Sequence, residues 1–215
     1  MAHIIPTLFS TNEDQFKGRV TTILASKRFR AGWVQLDIMD GIFVPRTGVG
    51  IDVIKKYPLE GYKKEAHLMV TDPSLYIPDL LVYGANRIIF PIEIDKDIAA
   101  FVQTIHNHGV FAGVSINPET DITAASPYGQ VLDSILIMSS RPGREGQPLP
   151  QETYNRIREV KKKFPRVTVG VDEGVTDINA RELALAGADY LAIGSFLFTG
   201  DFDTNFEKIQ MAINP

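Results

Sequence analysis

Eight short apolar runs recur along the chain, at residues 3–8, 33–39, 65–70, 87–92, 110–116, 134–138, 167–171 and 190–193. Each has about the length of a buried strand, and many of their residues are β-branched. Between them lie stretches with apolar residues at helical spacing, at 13–25, 74–83, 98–108, 151–164, 177–186 and 203–213. Local signals support these boundaries. Asp177 is placed to cap a helix and Pro150 precedes one. Gly84, Gly109 and Gly187 follow helical stretches, where a left-handed residue ends the last turn.

Strands that alternate with helices pair in parallel. Eight such units in 215 residues predict one α/β domain over 1–215, closed as a single (β/α)8 TIM barrel. The competing arrangement is an open, doubly wound sheet. It wants a glycine-rich turn after the first strand, and Leu8-Phe9-Ser10-Thr11 contains no glycine.

Composition narrows the class. The chain has no cysteine, which excludes disulfides and thiolate chemistry. A formal net charge of -4 with mixed signs argues against a nucleic-acid partner. The basic run 161–163 ends a helical stretch and reads as a solvated face. No apolar run approaches the ~20 residues that span a membrane, and the N-terminus lacks the pattern of a secretory signal. The expectation is a cytoplasmic protein without membrane or nucleic-acid partners.

In a barrel of this kind active sites lie at the C-terminal ends of the strands. Asp37 and His67 stand near the ends of the second and third runs, Asp172 follows the seventh, and Gly194-Ser195 follows the eighth. A lone histidine in an apolar strand is more often a satisfied core residue. Three groups able to bind metal or move protons, brought to one mouth from three strands, point instead to a site. Met39, Met69 and Met138 end the second, third and sixth runs. They are either core filler or an apolar floor beneath a ligand, and spacing alone leaves both open.

The segments "IIPTLFS", "LDIMDGIFVP", "AHLMVTDPSLYI", "GVSINPET", "ILIMSSRPGREGQ", "VGVDEGV" and "AGADYLAIGSFLF" resemble, in order, the landmarks of the ribulose-phosphate 3-epimerase family. The resemblance implies a ribulose-phosphate-binding (β/α)8 barrel that inverts C3 of a pentulose 5-phosphate. It implies Asp37 and Asp172 as the acid–base pair on either face of an enediolate. It also implies a divalent cation, commonly zinc, iron or manganese, held by Asp37, His67 and Asp172. By the same resemblance Thr7, Met39, Met69 and Met138 contact the sugar. Gly143, Arg144, Gly146, Gly174, Gly194 and Ser195 surround its phosphate, with Gly194-Ser195 offering a helix start. Asp40 orders the loop at Gly41 rather than reacting. Family members form dimers or larger assemblies, so a homo-oligomer is an open expectation.

The departures are specific. The family pattern His-x-Asp reads Gln35-Leu36-Asp37 here, so Gln35 is a weak or vacated ligand position and the metal is expected to be loose or absent. The family's usual histidine on strand 4 is Pro91, two residues before Glu93. Its Gly-x-Gly-Gly loop reads Gly143-Arg144-Glu145-Gly146, and its Asp-Gly-Gly reads Asp172-Glu173-Gly174. Glycines let backbone N–H groups approach an anion. Glu145 and Glu173 are therefore expected to weaken phosphate binding by bringing negative charge, with Arg144, Arg141 or Arg46 as compensating partners. Three readings follow: a divergent epimerase, a barrel acting on another ketose, or a non-catalytic sugar-phosphate-binding or scaffold protein.

Overall fold

The second run forms β2 (Gly32–Met39), and it pairs along its whole length with β3 (Tyr62–Met69). This long ladder draws the polar residues Tyr62, Lys63 and Lys64 into β3, so the strand starts earlier than its apolar part. The remaining strands are β1 (His3–Pro6), β4 (Arg87–Pro91), β5 (Phe111–Ile116), β6 (Ser134–Met138), β7 (Thr168–Asp172) and β8 (Tyr190–Ile193). This computed structural model describes residues 2–214; residues 1 and 215 of the expected 1–215 domain lie outside the described residues.

All pairs are parallel, in the order β1-β8-β7-β6-β5-β4-β3-β2. The ring closes between β2 and the end of β1. Thr7 bridges Gln35, and Leu8 N–H donates to the Gln35 carbonyl at 2.7 Å. The structure is therefore the expected barrel and not the open sheet.

Period-2 alternation divides each strand between two cores. Val34, Leu36 and Ile38 of β2 face outward and pack with Phe16, Val20 and Ile23 of the first helix, α1 (Glu13–Ala25). Ile5, Ile89, Leu136, Met138 and Tyr190 fill the inside. The Tyr190 ring lies where a Cβ on Gly170 would stand, so only glycine fits there. Nearby, Glu65 and Arg87 form a buried ion pair. The Arg87 guanidinium lies 4.5 Å from the Trp33 ring centroid and 4.3 Å from that of Tyr190.

The helices are α1, α2 (Ile51–Ile54), α3 (Ile77–Tyr83), α4 (Ile98–His106), α5 (Glu152–Lys163), α6 (Ala180–Ala186), α7 (Ser195–Phe198) and α8 (Phe202–Ile213). Side chains of Asn12, Asp97 and Asp201 cap α1, α4 and α8. The expected helix at 74–83 is split into a 3-10 turn, Pro73–Leu75, and α3, with Asp72 capping the turn and Pro78 in the first turn of α3. Asp177 caps nothing: α6 starts three residues later, and Asn179 Oδ1 accepts from Thr176 N–H instead. After β5 the chain forms a 3-10 segment, Ile122–Tyr128, with Pro127 inside it. Among the described residues no helix is long and apolar enough to cross a membrane.

Candidate active site

Alternation also sets what faces the C-terminal mouth. On β2 the inward residues are Gln35, Asp37 and Met39. Asp37 is registered with His67 on β3, and Asp172, the last residue of β7, with Met138 on β6. Asp37, His67 and Asp172 are all buried, and each presents a ligand atom within 4.8 Å of the others. His67 Nδ1 lies 3.3 Å from Asp37 Oδ1 and 3.5 Å from Asp172 Oδ2.

Gln35 stands at the centre of this group. Its Nε2 donates to Asp37 Oδ1 and to Asp172 Oδ2, both at 2.8 Å, and lies 3.5 Å from His67 Nδ1. One amide NH2 thus satisfies a carboxylate from each of two strands, an arrangement that spares two buried anions from facing each other unpaired. Its own Oε1 is buried without a hydrogen-bond partner among the described residues, as is His67 Nε2. The donor chemistry of Asp37, His67 and Asp172 fits a divalent cation. Gln35 does not join them as a ligand in this conformation, because it turns its nitrogen, not its oxygen, toward them.

Burial opposes charge on His67, but its contacts with Asp172 and Asp37 outweigh that and push the imidazole up to about 10. Burial raises Asp37 above the usual carboxylate range, against the hydrogen bond from His67. Asp40 behaves differently. Burial pushes its carboxyl up, but it accepts from Thr71 N–H at 2.7 Å and from Ile42 and Phe43 N–H, both at 2.8 Å, and together these outweigh burial and lower its pKa. It ties the loop after β2 to the end of β3, as its place beside Gly41 suggested.

The space above Asp37 and Asp172 is lined by Thr7, Phe9, Met69, Met138, Glu145 and Glu173, among others. Met69 and Met138 therefore lie at the cavity. Met39 does not line it; it packs behind, with Phe9, Val44 and Met69. Gly143, Gly174, Gly194 and Ser195 also line the cavity, whereas Gly146 lies at its edge, 3.9 Å from Ser195 Oγ by the position of a Cβ. Gly143, at φ 89, lies against the Val44 side chain, where a Cβ would collide. The helix after β8, α7, is a single turn.

None of the arginines proposed as compensating charges lines the cavity, although Arg46 lies over the cavity residue Phe9. Arg144 is exposed and lines an outer groove. Arg141 pairs with Glu119 in solvent, and Arg46 stacks over Phe9 at 5.8 Å. The cation that engages a charged residue of the cavity wall is Arg19 of α1, which does not itself line the cavity. It donates to both carboxylate oxygens of Glu145, at 2.9 and 2.7 Å, and to the Thr7 carbonyl at 3.1 Å. A sequence signal existed: in the helical slots 16, 19, 20 and 23, Arg19 is the one charge among Phe16, Val20 and Ile23. Glu173 differs from expectation in another way. Its φ of 75 is left-handed. Burial, then the charges of Asp172 and Asp37, push its carboxyl up to about 9. Burial and those neighbours oppose the negative charge expected at this position.

Comparison with known proteins fits this geometry. The sequence matches the Ribulose-phosphate 3 epimerase family over residues 3–198. The cytoplasmic isoform of ribulose-phosphate 3-epimerase from Oryza sativa subsp. japonica is 32% identical over 204 residues, covering 92% of this chain and 87% of that one. Ribulose-phosphate 3-epimerase from Escherichia coli (strain K12) is 33% identical over 171 residues, covering 77% and 76%. KGPDC from Streptococcus mutans superposes with a TM-score of 0.75 at 9% identity, covering 99% of this chain and 97% of that one, a likeness of fold alone. The chain therefore belongs to the ribulose-phosphate 3-epimerase family.

Proposed function

We propose that the chain inverts C3 of a pentulose 5-phosphate, interconverting ribulose 5-phosphate and xylulose 5-phosphate in the cytoplasm. The observation that carries this reading is the convergence of Asp37 and Asp172 from β2 and β7 on one buried point, with His67 between them. Epimerisation next to a carbonyl needs one group to take the C3 proton and another to return a proton on the opposite face. Asp37, raised by burial, is a better base near neutral pH than an aqueous aspartate. Asp172 serves the other face. Met69 and Met138 exclude water beneath the sugar, and Thr7 offers a hydroxyl to it.

Asp37, His67 and Asp172 would hold a divalent cation, and zinc, iron and manganese all suit one imidazole and two carboxylates. When bound, such an ion supplies Lewis-acid charge to the substrate oxygens. Because Gln35 supplies an amide where an imidazole would complete the set, we expect a loose hold. Gln35→His is expected to tighten zinc binding by about tenfold or more, since imidazole is the stronger zinc ligand. Calorimetric titration of both forms decides it: stoichiometric tight zinc in the natural protein, or no gain in the variant, removes Gln35 as the weak position.

A second reading is favoured by one observation, the Glu145 carboxylate beside Gly194 at the phosphate end. It makes a ketose without phosphate the substrate. A coupled assay on purified protein, with a panel of divalent metals and with ribulose 5-phosphate beside unphosphorylated ketoses, separates the two. Turnover of ribulose 5-phosphate is expected. Turnover of unphosphorylated ketoses alone supports the second reading, and none with any metal leaves a sugar-phosphate-binding or scaffold role.

A further inference from the structure

Glu145 holds a place that an incoming anion would need. Its carboxylate lies against Gly194, at the position a Cβ there would fill, and the Thr7 hydroxyl borders the same spot, 2.7 Å from that position. Both carboxylate oxygens are engaged by Arg19, whose guanidinium also stacks on the Phe198 ring at 4.7 Å and anchors to the Thr7 carbonyl. The arginine is thus fixed from three sides and presents a planar fork to Glu145, which lines the mouth; that geometry takes a carboxylate or a phosphate equally well.

The space left by this arrangement is small. The cavity over the acid pair has a free volume of about 20 Å³, room for about one water. Small-molecule sites typically run to several hundred Å³. Glu145 sits on the loop between β6 and α5, a segment without regular structure, whereas Arg19 is held in a helix. Of the two partners, the glutamate is the one able to leave.

We propose that Arg19 is a phosphate-binding residue of this chain and that Glu145 is its resident stand-in, exchanged for the substrate's phosphate on binding. The inference rests on the sugar-phosphate reading above for its substrate. Glu145 then sets specificity: a ligand with a terminal phosphate replaces the carboxylate on the guanidinium, and a ligand ending in a hydroxyl cannot. The exchange leaves the charge on Arg19 neutralised in both states, and it opens the volume that the sugar requires.

The test measures inorganic phosphate binding by calorimetry at constant ionic strength, for the natural protein and for E145Q, E145A, R19M and the double variant E145Q/R19M. Circular dichroism checks that each is folded, and E145A stands in should E145Q not be. Removing the competing carboxylate is expected to tighten phosphate binding at least about tenfold, the scale of a charge-assisted bidentate pair, and R19M is expected to erase that gain. In parallel, KM for ribulose 5-phosphate falls in E145Q, while KM for the same pentulose without phosphate does not. An unchanged phosphate affinity in E145Q and E145A, or a gain that survives R19M, overturns the exchange. The two readings fail separately. Turnover of ribulose 5-phosphate with no phosphate gain in E145Q keeps the function and loses this inference. A gain that depends on Arg19, without turnover of any pentulose, keeps the inference and loses the function.

Discussion

Replacing Asp37 or Asp172 by asparagine is expected to abolish turnover of the proposed pentulose phosphate and to leave the barrel folded. Asparagine has nearly the shape of aspartate, and its carbonyl oxygen can still accept from the Gln35 amide that now bridges the two acids at 2.8 Å each. What it cannot do is take up or deliver a proton. A positioned acid–base group contributes roughly 10²–10⁴-fold, and each aspartate is also a candidate metal ligand, so the loss adds to that range. Steady-state kinetics beside thermal melts give the reading. Full activity in either variant would falsify the two-aspartate mechanism.

Glu65→Ala is expected to cost about 3–5 kcal/mol of stability, the penalty for leaving a buried charge without its partner. Arg87 is 6% exposed, and the rings of Trp33 and Tyr190 flank its guanidinium, so water cannot easily take the place of the lost carboxylate. Urea unfolding reads this as a lower midpoint at an unchanged slope. The double variant E65M/R87M provides the contrast. Removing both charges together should recover most of the loss, because an apolar pair of similar volume avoids the desolvation cost altogether. Equal losses in the single and double variants would show that Glu65 stabilises the barrel by packing and not by charge.

The strands were legible because a parallel sheet covered on both faces needs nearly continuous apolar runs. Their C-terminal ends can therefore be counted along the sequence, and the count alone brings Asp37, His67 and Asp172 to one mouth. The short helices α2 and α7, each a single turn, are too brief to show a 3.6-residue period; α7 is foreshadowed only by the helix start at Gly194-Ser195 that the family resemblance implies, and α2 by nothing. The segment after β5 is a 3-10 stretch with Pro127 inside it, which no helical pattern announced. The far end of the site was misread for a different reason. Arg144 and Glu145 are neighbours in an irregular loop, and no periodicity decides which of two adjacent residues turns inward. The arginine that meets Glu145 lies 126 positions away, on α1. That contact belongs to the closed ring and not to any local stretch of sequence.

The closure of that ring bears on how such a site can change. At the joint between β1 and β2 the chain uses the Gln35 carbonyl and the Leu8 amide, groups that nearly every residue type supplies. The Gln35 side chain is not part of the joint; it points into the mouth and governs how two acids and an imidazole are held. Architecture and chemistry are thus written on different atoms of the same residue. A substitution at position 35 that preserves an extended backbone leaves the barrel shut while rewriting the polar contacts inside it. This lets a family with one scaffold explore new ligand sets by single exchanges, without passing through an unfolded ancestor.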